Sequence, residues 1–233
     1  MTKINLVIAR YNEDINYINQ YKNDFNIILY NKGPKIELSD IQIIDLPNIG
    51  REFHTFLYHI INNYDNLVDL TIFLPGSWQL PGKLNRALET IKNAKNTKTT
   101  VIITESNLKD IKNLLFNFTL DEWGCTDHNN RKLNPDRKLL QSSVRPFGKW
   151  YENYFNHINS SDIKAITYFG ICAIDKKHIL QNPIDIYKKL YNELNTHNNP
   201  EVGHYMERAW SSLFYPYPDS CIFYDDTRKL TIL

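Results

Sequence analysis

Short apolar runs rich in β-branched residues recur along the first hundred residues of the chain, and each ends in a polar loop. They cover residues 3–9, 25–30, 41–46, 70–74 and 100–104. Each run predicts a buried strand of a parallel sheet. Because helical patterns alternate with these runs, the sequence predicts an α/β fold with a mostly parallel central sheet flanked by helices. A ligand is expected at the carboxyl ends of such strands.

The strongest helical pattern covers residues 51–64. Its apolar residues recur at the spacing of one helical face and are Phe53, Phe56, Leu57, Ile60 and Ile61. Weaker patterns predict helices over residues 13–21 and 83–95. Residues 105–160 are less regular, and we interpret them as an elaborated loop region.

The last third of the chain returns to regular patterns. An apolar run predicts a strand over residues 165–174, and helices are predicted over residues 183–194 and 201–214. No internal repeat is visible. The pattern therefore predicts a single domain over residues 1–233.

Composition narrows the function classes. The chain has 233 residues and a formal net charge of +1, so no excess of positive charge favours nucleic acid or anionic membrane as a partner. Its apolar runs are far shorter than the roughly 18 residues of a membrane span. Three cysteines without a CxxC pair disfavour a disulfide framework and structural zinc. We expect a soluble, cytoplasmic protein.

Two loops at predicted strand ends carry polar side chains suited to a nucleotide. After the first strand come Ala9, Arg10, Tyr11, Asn12 and Glu13, where a base could stack on the tyrosine ring at the ligand-binding edge. The alternative is that residues 12–14 only cap the next helix. After the second strand come Asn31 and Lys32, for which the alternative is a simple turn.

The segment before the strong helix predicts an anion site. It contains Asn48, Gly50, Arg51 and Glu52, and a helix N-terminus offers free N–H groups and a favourable dipole to a phosphate. Arg51 adds a bidentate donor. The alternative is a helix cap with an Arg–Glu surface pair.

Two further places are weaker candidates. Ser77 and Trp78 follow the fourth strand without a carboxylate pair for a metal, so a turn is the alternative there. His204 and Glu207 share a helical face at i and i+3, a spacing that suits a catalytic carboxylate with an orienting partner. Solvated side chains are the alternative. No GxGxxG, Walker, GxSxG or HExxH pattern is present, which disfavours dinucleotide oxidoreductases, P-loop NTPases, serine hydrolases and zincins.

Several segments, taken in order, resemble a family of small GT-A-like glycosyltransferases. They are IARYNED, ILYNKG, LPNIGREFHTFLYHIINNYDNLVDLTIFLPGS, the Trp123-Gly-Cys segment, RPFGKWYENYF, FGICAIDKKHI and HYMERAWSSLF. The set is also similar to the N-terminal domain of a chlorovirus glycosyltransferase that decorates a capsid protein. More distantly, it resembles rhamnan-synthesis proteins with an N-x-G-R-D motif.

The resemblance implies a GT-A fold that binds a nucleotide sugar through residues 1–104 and its acceptor through residues 105–233. GT-A enzymes commonly hold Mn²⁺ or Mg²⁺ with a DxD motif, whereas the matching place here reads Leu74-Pro-Gly-Ser. Arg10, Arg51 or Lys32 could neutralise the diphosphate instead. Glu207 matches a late acidic helix and becomes the expected base, with Glu52, Asp162 and Asp14 as alternatives.

The leading hypothesis is a glycosyltransferase that moves a uridine-linked sugar to a glycan or glycoprotein, such as a viral capsid glycan. A viral source would place it in the host cytoplasm or the virion. One alternative is a binding module for a nucleotide sugar or a glycan. Another is a sugar nucleotidyltransferase, whose sheet and anion site would be similar.

Overall fold

A seven-stranded, mostly parallel sheet forms the centre of one α/β domain. The computed structural model describes residues 2–106, 108, 112–121, 139–155 and 163–225. Its strands are β1 (Ile4–Arg10), β2 (Asn26–Asn31), β3 (Gln42–Asp45), β4 (Leu70–Pro75), β5 (Val101–Glu105), β6 (Cys172–Asp175) and β7 (Ile222–Asp225). The five strands predicted in the first hundred residues are confirmed to within one residue at each end.

The order of the strands reverses beside β1. Across the sheet the order is β3-β2-β1-β4-β6-β5-β7, with β6 antiparallel to both of its neighbours. The chain builds from β1 through β2 to β3 and then returns to place β4 on the other side of β1. At such a switch point the loops leave in opposite directions and open a crevice at the carboxyl ends of the strands.

Helices cover both faces of the sheet. They are α1 (Arg51–Asn63), α2 (Leu84–Thr97), α3 (Lys112–Phe116), α4 (Phe147–Phe155), α5 (Lys176–Ile179), α6 (Ile184–Leu194) and α7 (Glu201–Ala209). Apolar residues of α1, α4, α6 and α7 share one core cluster, whereas those of α2 join a second cluster. β1 supplies Val7 to the first cluster and Leu6 and Ile8 to the second, as the two-residue period of a strand requires.

Three predicted elements differ from the observed ones. Residues 13–21 form a 3-10 helix only over Asn16–Tyr21, and the last predicted helix splits into α7 and a 3-10 turn, Ser212–Phe214. The apolar run of residues 165–174 pairs as a strand only from Cys172, because Phe169 and Gly170 take positive φ values of 65° and 66°. That backbone conformation cannot continue a strand.

Part of the predicted loop region is helical. Residues 112–116 form α3 and residues 147–155 form α4, so the interpretation of residues 105–160 as loop is wrong at both places. The Trp123-Gly-Cys segment and Asp162 lie outside the described residues. In the described parts of the chain, no helix has the length and apolar character needed to cross a membrane.

Candidate active site at the carboxyl edge of the sheet

A cleft opens at the carboxyl ends of β1 and β4, where the strand order reverses. Its volume is about 850 Å³, including space open to solvent. The residues of the sequence prediction that line this edge cleft are Ala9, Arg10, Tyr11, Glu13, Lys32, Asn48, Arg51, Glu52 and Ser77. The fold thus brings residues of four different loops together at one place. Their role in binding stays a prediction.

Arg10, the last residue of β1, organises the loop that follows it. Its Nη1 donates to Asn31 Oδ1 at 2.6 Å. The same nitrogen donates to the carbonyl oxygens of Tyr11 and Pro34 at 3.0 and 3.1 Å, and Nε donates to that of Glu13 at 3.0 Å. These bonds use Nη1 and Nε to order the loop, and Arg10 also lines the edge cleft, so its role toward a diphosphate stays a prediction.

Two close contacts fix the backbone of Tyr11. Glu13 Oε2 accepts the Tyr11 N–H at 2.7 Å. Gly33 approaches the Tyr11 carbonyl so closely that a Cβ at Gly33 would lie 1.6 Å from its oxygen, so only glycine fits. The capping alternative holds for Asp14, whose Oδ1 accepts the N–H of Asn16 at 3.0 Å.

Lys32 holds the loop that leads into α1. It is 8% exposed, and its ammonium group donates to the carbonyl oxygens of Ile49 and Arg51. Burial lowers the pKa of Lys32 to about 7, although Glu52 opposes this shift. Lys32 thus lines the edge cleft, and its hydrogen bonds hold the backbone at the start of α1 in place.

The N-terminus of α1 reaches the edge cleft in an unusual backbone conformation. Gly50 and Arg51 have φ values of +62° and +54°, and α1 has no side-chain cap. A Cβ at Gly50 would lie 2.6 Å from the carbonyl oxygen of Leu194. A left-handed arginine costs free energy, of the order of 1–3 kcal/mol, and such strain clusters at functional sites.

The Arg51 side chain crosses from α1 to α7. Its Nη1 donates to Asn199 Oδ1 and to His204 Nε2, both at 3.3 Å. Its Nε lies 3.7 Å from Glu52, and the two side chains are 23% and 14% exposed, so this ion pair is not the surface pair of the alternative interpretation. A Cβ at Gly203 would lie 2.9 Å from Arg51 Cδ. Because Gly203 has no side chain, the Arg51 side chain can pass beside α7 without a steric clash.

His204 and Glu207 are largely buried on α7, which makes the solvated alternative wrong. His204 Nδ1 lies 4.0 Å from Glu207 Oε2, and the side chains are 13% and 11% exposed. An arginine can only donate, so His204 Nε2 must accept from Arg51 and the ring proton lies on Nδ1, toward Glu207. The contacts form a continuous path from Arg51 through His204 to Glu207.

Burial sets the protonation of both groups. It lowers the pKa of His204 well below the usual range, and Arg51 and Arg208 act in the same direction. It raises the pKa of Glu207, with Glu52 adding to the shift and Arg51, Arg208 and Lys83 opposing it. A neutral imidazole therefore faces a carboxyl group that binds its proton more tightly than an exposed glutamate does.

A family model described as "Protein of unknown function (DUF3431)" matches residues 6–228. The chain belongs to this family. A search of curated proteins finds no match to the chain. Neither comparison assigns a function to this DUF3431 domain, so its function is inferred from the geometry of the edge cleft.

Four residues that line the edge cleft in the DUF3431 domain were not predicted from sequence. They are Pro75, Lys83, Asn198 and Asn199. Lys83 precedes α2, and its Nζ donates to Ser77 Oγ at 2.7 Å. Asn199 belongs to the loop before α7 and reaches Arg51 across 148 positions of sequence. The local sequence predicts that these residues lie in loops, but it does not show that those loops meet at the end of β1.

Four residues of the DUF3431 domain that were predicted to bind the donor do not line the edge cleft: Asn12, Asn31, Gly50 and Trp78. The two predicted catalytic residues, His204 and Glu207, do not line it either and connect to it through Arg51. Trp78 is fully buried, and its ring lies 4.9 Å edge-on from Tyr17 in the second core cluster. The amide nitrogen of Asn31 donates hydrogen bonds to the carbonyl oxygens of Gly33 and Pro34 and to Asp45 Oδ1. These two positions are structural, which corrects their assignment to the donor.

The end of β4 carries no DxD pair. Pro75 and Gly76 offer no side-chain oxygen, and Ser77 Oγ accepts from the Lys83 ammonium group. The nearest carboxylate comes from another loop, since a Cβ at Gly76 would lie 2.8 Å from Glu13 Oε2. Among the described residues, no group of three or more His, Cys, Asp or Glu side chains could hold a metal ion. Binding of Mn²⁺ or Mg²⁺ with the diphosphate stays a prediction.

Proposed function

We propose that this chain is a glycosyltransferase of GT-A-like fold that uses a nucleotide-sugar donor. It transfers the sugar of a uridine-linked donor to a hydroxyl group of a glycan or glycoprotein. The observation that carries the proposal is the path of contacts from Arg51 through His204 to Glu207. This path joins a cation at a helix N-terminus to a buried carboxyl group of raised pKa. An inverting transfer uses a cation at the diphosphate leaving group and a base at the acceptor hydroxyl.

The donor fits the half of the edge cleft formed by β1, β2 and α1. Tyr11 offers its ring to a base. The uncapped N-terminus of α1 and the Arg51 guanidinium group offer donors to the diphosphate, which is the anion that such a terminus favours. The position at a switch point of the sheet supports a nucleotide at this edge.

The reaction requires a base on the acceptor side. The acceptor oxygen attacks the anomeric carbon, the bond from that carbon to the diphosphate oxygen breaks, and the hydroxyl proton passes to the Glu207 carboxylate. His204 lies beside that carboxylate, with its Nδ1 4.0 Å from Oε2, and would orient it once the two side chains close to hydrogen-bond distance. A raised pKa makes Glu207 a stronger base than an exposed glutamate. Attack opposite the leaving group inverts the anomeric centre.

The experiment begins with a thermal-shift screen of nucleoside diphosphates and nucleotide sugars. A ligand at about 100 times its dissociation constant adds roughly 2.7 kcal/mol to the free energy of unfolding. Donors that stabilise the chain are then incubated with oligosaccharide acceptors, and release of the nucleoside diphosphate is measured. We expect stabilisation and release with the same donor.

Other outcomes would identify the alternatives. Binding of a nucleotide sugar without turnover, with Mn²⁺ and acceptors present, would indicate a binding module. Consumption of a nucleoside triphosphate together with a sugar phosphate would indicate a nucleotidyltransferase. Stabilisation by no nucleotide at millimolar concentration would overturn the proposal.

A further inference from the structure

Lys83 lines the edge cleft, although no sequence motif marks it. It ends the turn after β4, where its N–H donates to Leu80 O at 3.0 Å. Its Nζ donates to Ser77 Oγ at 2.7 Å and lies 4.8 Å from the centre of the Phe169 ring. Side chains from two separate loops thus hold the ammonium group in one position.

The backbone conformation of Phe169 places its ring against the Lys83 ammonium group. Its φ is +65°, which is a strained backbone conformation for a bulky residue. The following Gly170 also has positive φ, and a Cβ there would lie 2.7 Å from the ring of Phe56. The strained turn sets the Phe169 ring beneath Lys83, where a cation–π contact stabilises the charge. Strain of this kind is typical of functional sites.

Three carboxyl groups from different elements act on Lys83. Glu52 on α1, Glu207 on α7 and Glu13 after β1 all raise its pKa, while burial, the largest influence, lowers it. Among the described residues none of these carboxyl groups comes within 4.0 Å of Nζ to form an ion pair. Among the described residues, Lys83 is therefore held in place without a direct carboxylate partner. Its ammonium group reaches back to Ser77, just after β4, where a GT-A enzyme would carry metal ligands.

We propose that Lys83 takes the place of a divalent cation and binds the diphosphate of the donor, so that donor binding needs no metal. This inference rests on the proposed function. As the bond between the anomeric carbon and the diphosphate oxygen breaks, the electron pair stays on that oxygen. The Lys83 ammonium group donates a hydrogen bond to the diphosphate and neutralises the added negative charge. Arg51 faces the same ligand from α1.

The test measures UDP binding by titration calorimetry for the wild-type chain, Lys83→Met and Lys83→Arg. Methionine keeps the unbranched shape of the side chain, one atom shorter, and removes its charge. We expect Lys83→Met to weaken UDP binding by roughly 10- to 150-fold, the range for a charged hydrogen bond, and to leave uridine binding unchanged. Lys83→Arg should restore most of the affinity. Wild-type affinity should be equal in EDTA and in Mn²⁺.

A matched control lies on the same helix. Lys92 is on the exposed face of α2 beside Glu89, so Lys92→Met should bind UDP like the wild type. Melting temperatures of the variants show whether each is folded. Wild-type affinity in Lys83→Met, equal losses for UDP and uridine, or loss of UDP binding in EDTA would each overturn the inference while leaving a nucleotide-dependent transferase intact. If the wild type binds no nucleoside diphosphate with or without Mn²⁺, the proposed function and the inference both fail.

Discussion

Replacing Glu207 with glutamine separates catalysis from binding most cleanly. The change keeps the shape of a side chain that is 11% exposed and removes its ability to take a proton. General-base catalysis contributes about 10²- to 10⁴-fold in rate, which corresponds to roughly 2.7–5.5 kcal/mol of activation free energy. We expect Glu207→Gln to lose turnover by at least about a hundredfold. UDP affinity should stay nearly constant, because the proposed donor contacts come from β1, β2 and α1, whereas Glu207 lies on α7.

The same variant makes a stability prediction whose sign follows from the pKa. Burial raises the pKa of Glu207 above its ordinary value of 4.5, so the unfolded chain loses this proton at lower pH than the folded chain does. Ionisation therefore costs stability as the pH rises from about 4.5 through the raised pKa. Glu207→Gln should be at least as stable as the wild type at neutral pH, and this advantage should vanish below about pH 4.

Glu201, on the same helix, supplies the control. It is fully buried, and its carboxylate accepts the N–H groups of Leu120 and Ser142, both at 2.8 Å. Glu201→Gln should lower the free energy of unfolding by about 1.5–3 kcal/mol, the range for a hydrogen bond to a charged group. Its folded fraction should keep near-normal turnover. The two variants thus separate a loss of rate from a loss of stability.

The assay measures nucleoside diphosphate release, including release by donor hydrolysis, since water must also lose a proton as it attacks. Urea unfolding at pH 4 and pH 7 measures stability. Most of the wild-type turnover in Glu207→Gln would refute the assignment of the base. Loss of UDP binding would instead make Glu207 a donor ligand, and the base would then be sought at Glu52 or Asp14.

Three further variants test the donor half of the edge cleft by calorimetry with UDP. Arg51→Ala should weaken binding by roughly 1.5–3 kcal/mol, and unchanged affinity would exclude a diphosphate contact. Tyr11→Ala should weaken UDP and UDP-sugar binding alike, whereas an effect on the acceptor alone would contradict the base-stacking role. Gly203→Ala should weaken UDP binding less than Arg51→Ala does, because the new Cβ would lie 2.9 Å from Arg51 Cδ. The melting temperature of Gly203→Ala should not fall, since alanine favours a helix by about 1 kcal/mol over glycine. Unchanged UDP affinity in this variant would refute the inference that glycine at position 203 makes room for the Arg51 side chain.

The fold was predictable where one short-range pattern decided the structure. The apolar runs of β1 to β5 and the helical face of α1 suffice because each buries its side chains locally. Helix α4 was missed although Phe147, Trp150, Tyr151 and Phe155 follow helical spacing, because Pro146 and Gly148 interrupt the pattern. The turn at Phe169 was missed because no local feature shows that an apolar run adopts positive φ.

The candidate site was predictable only in part. The switch-point rule brings the ends of β1, β2 and β4 together, so the loops at Tyr11 and Arg51 could be named in advance. Contacts between distant parts of the chain could not. His204 contacts Arg51 across 153 positions, and no local pattern shows that Arg10 also donates to the carbonyl oxygens of its own loop.

A crystal structure of the chain with a bound nucleotide sugar would show directly where the donor lies. We expect diphosphate oxygens within about 3 Å of the Arg51 guanidinium group, the distance of a charge-assisted hydrogen bond. We also expect the base to lie against Tyr11 and the anomeric carbon to point toward α7, the helix that carries Glu207. A nucleotide bound outside the edge cleft, or a sugar directed away from Glu207, would contradict the proposed function.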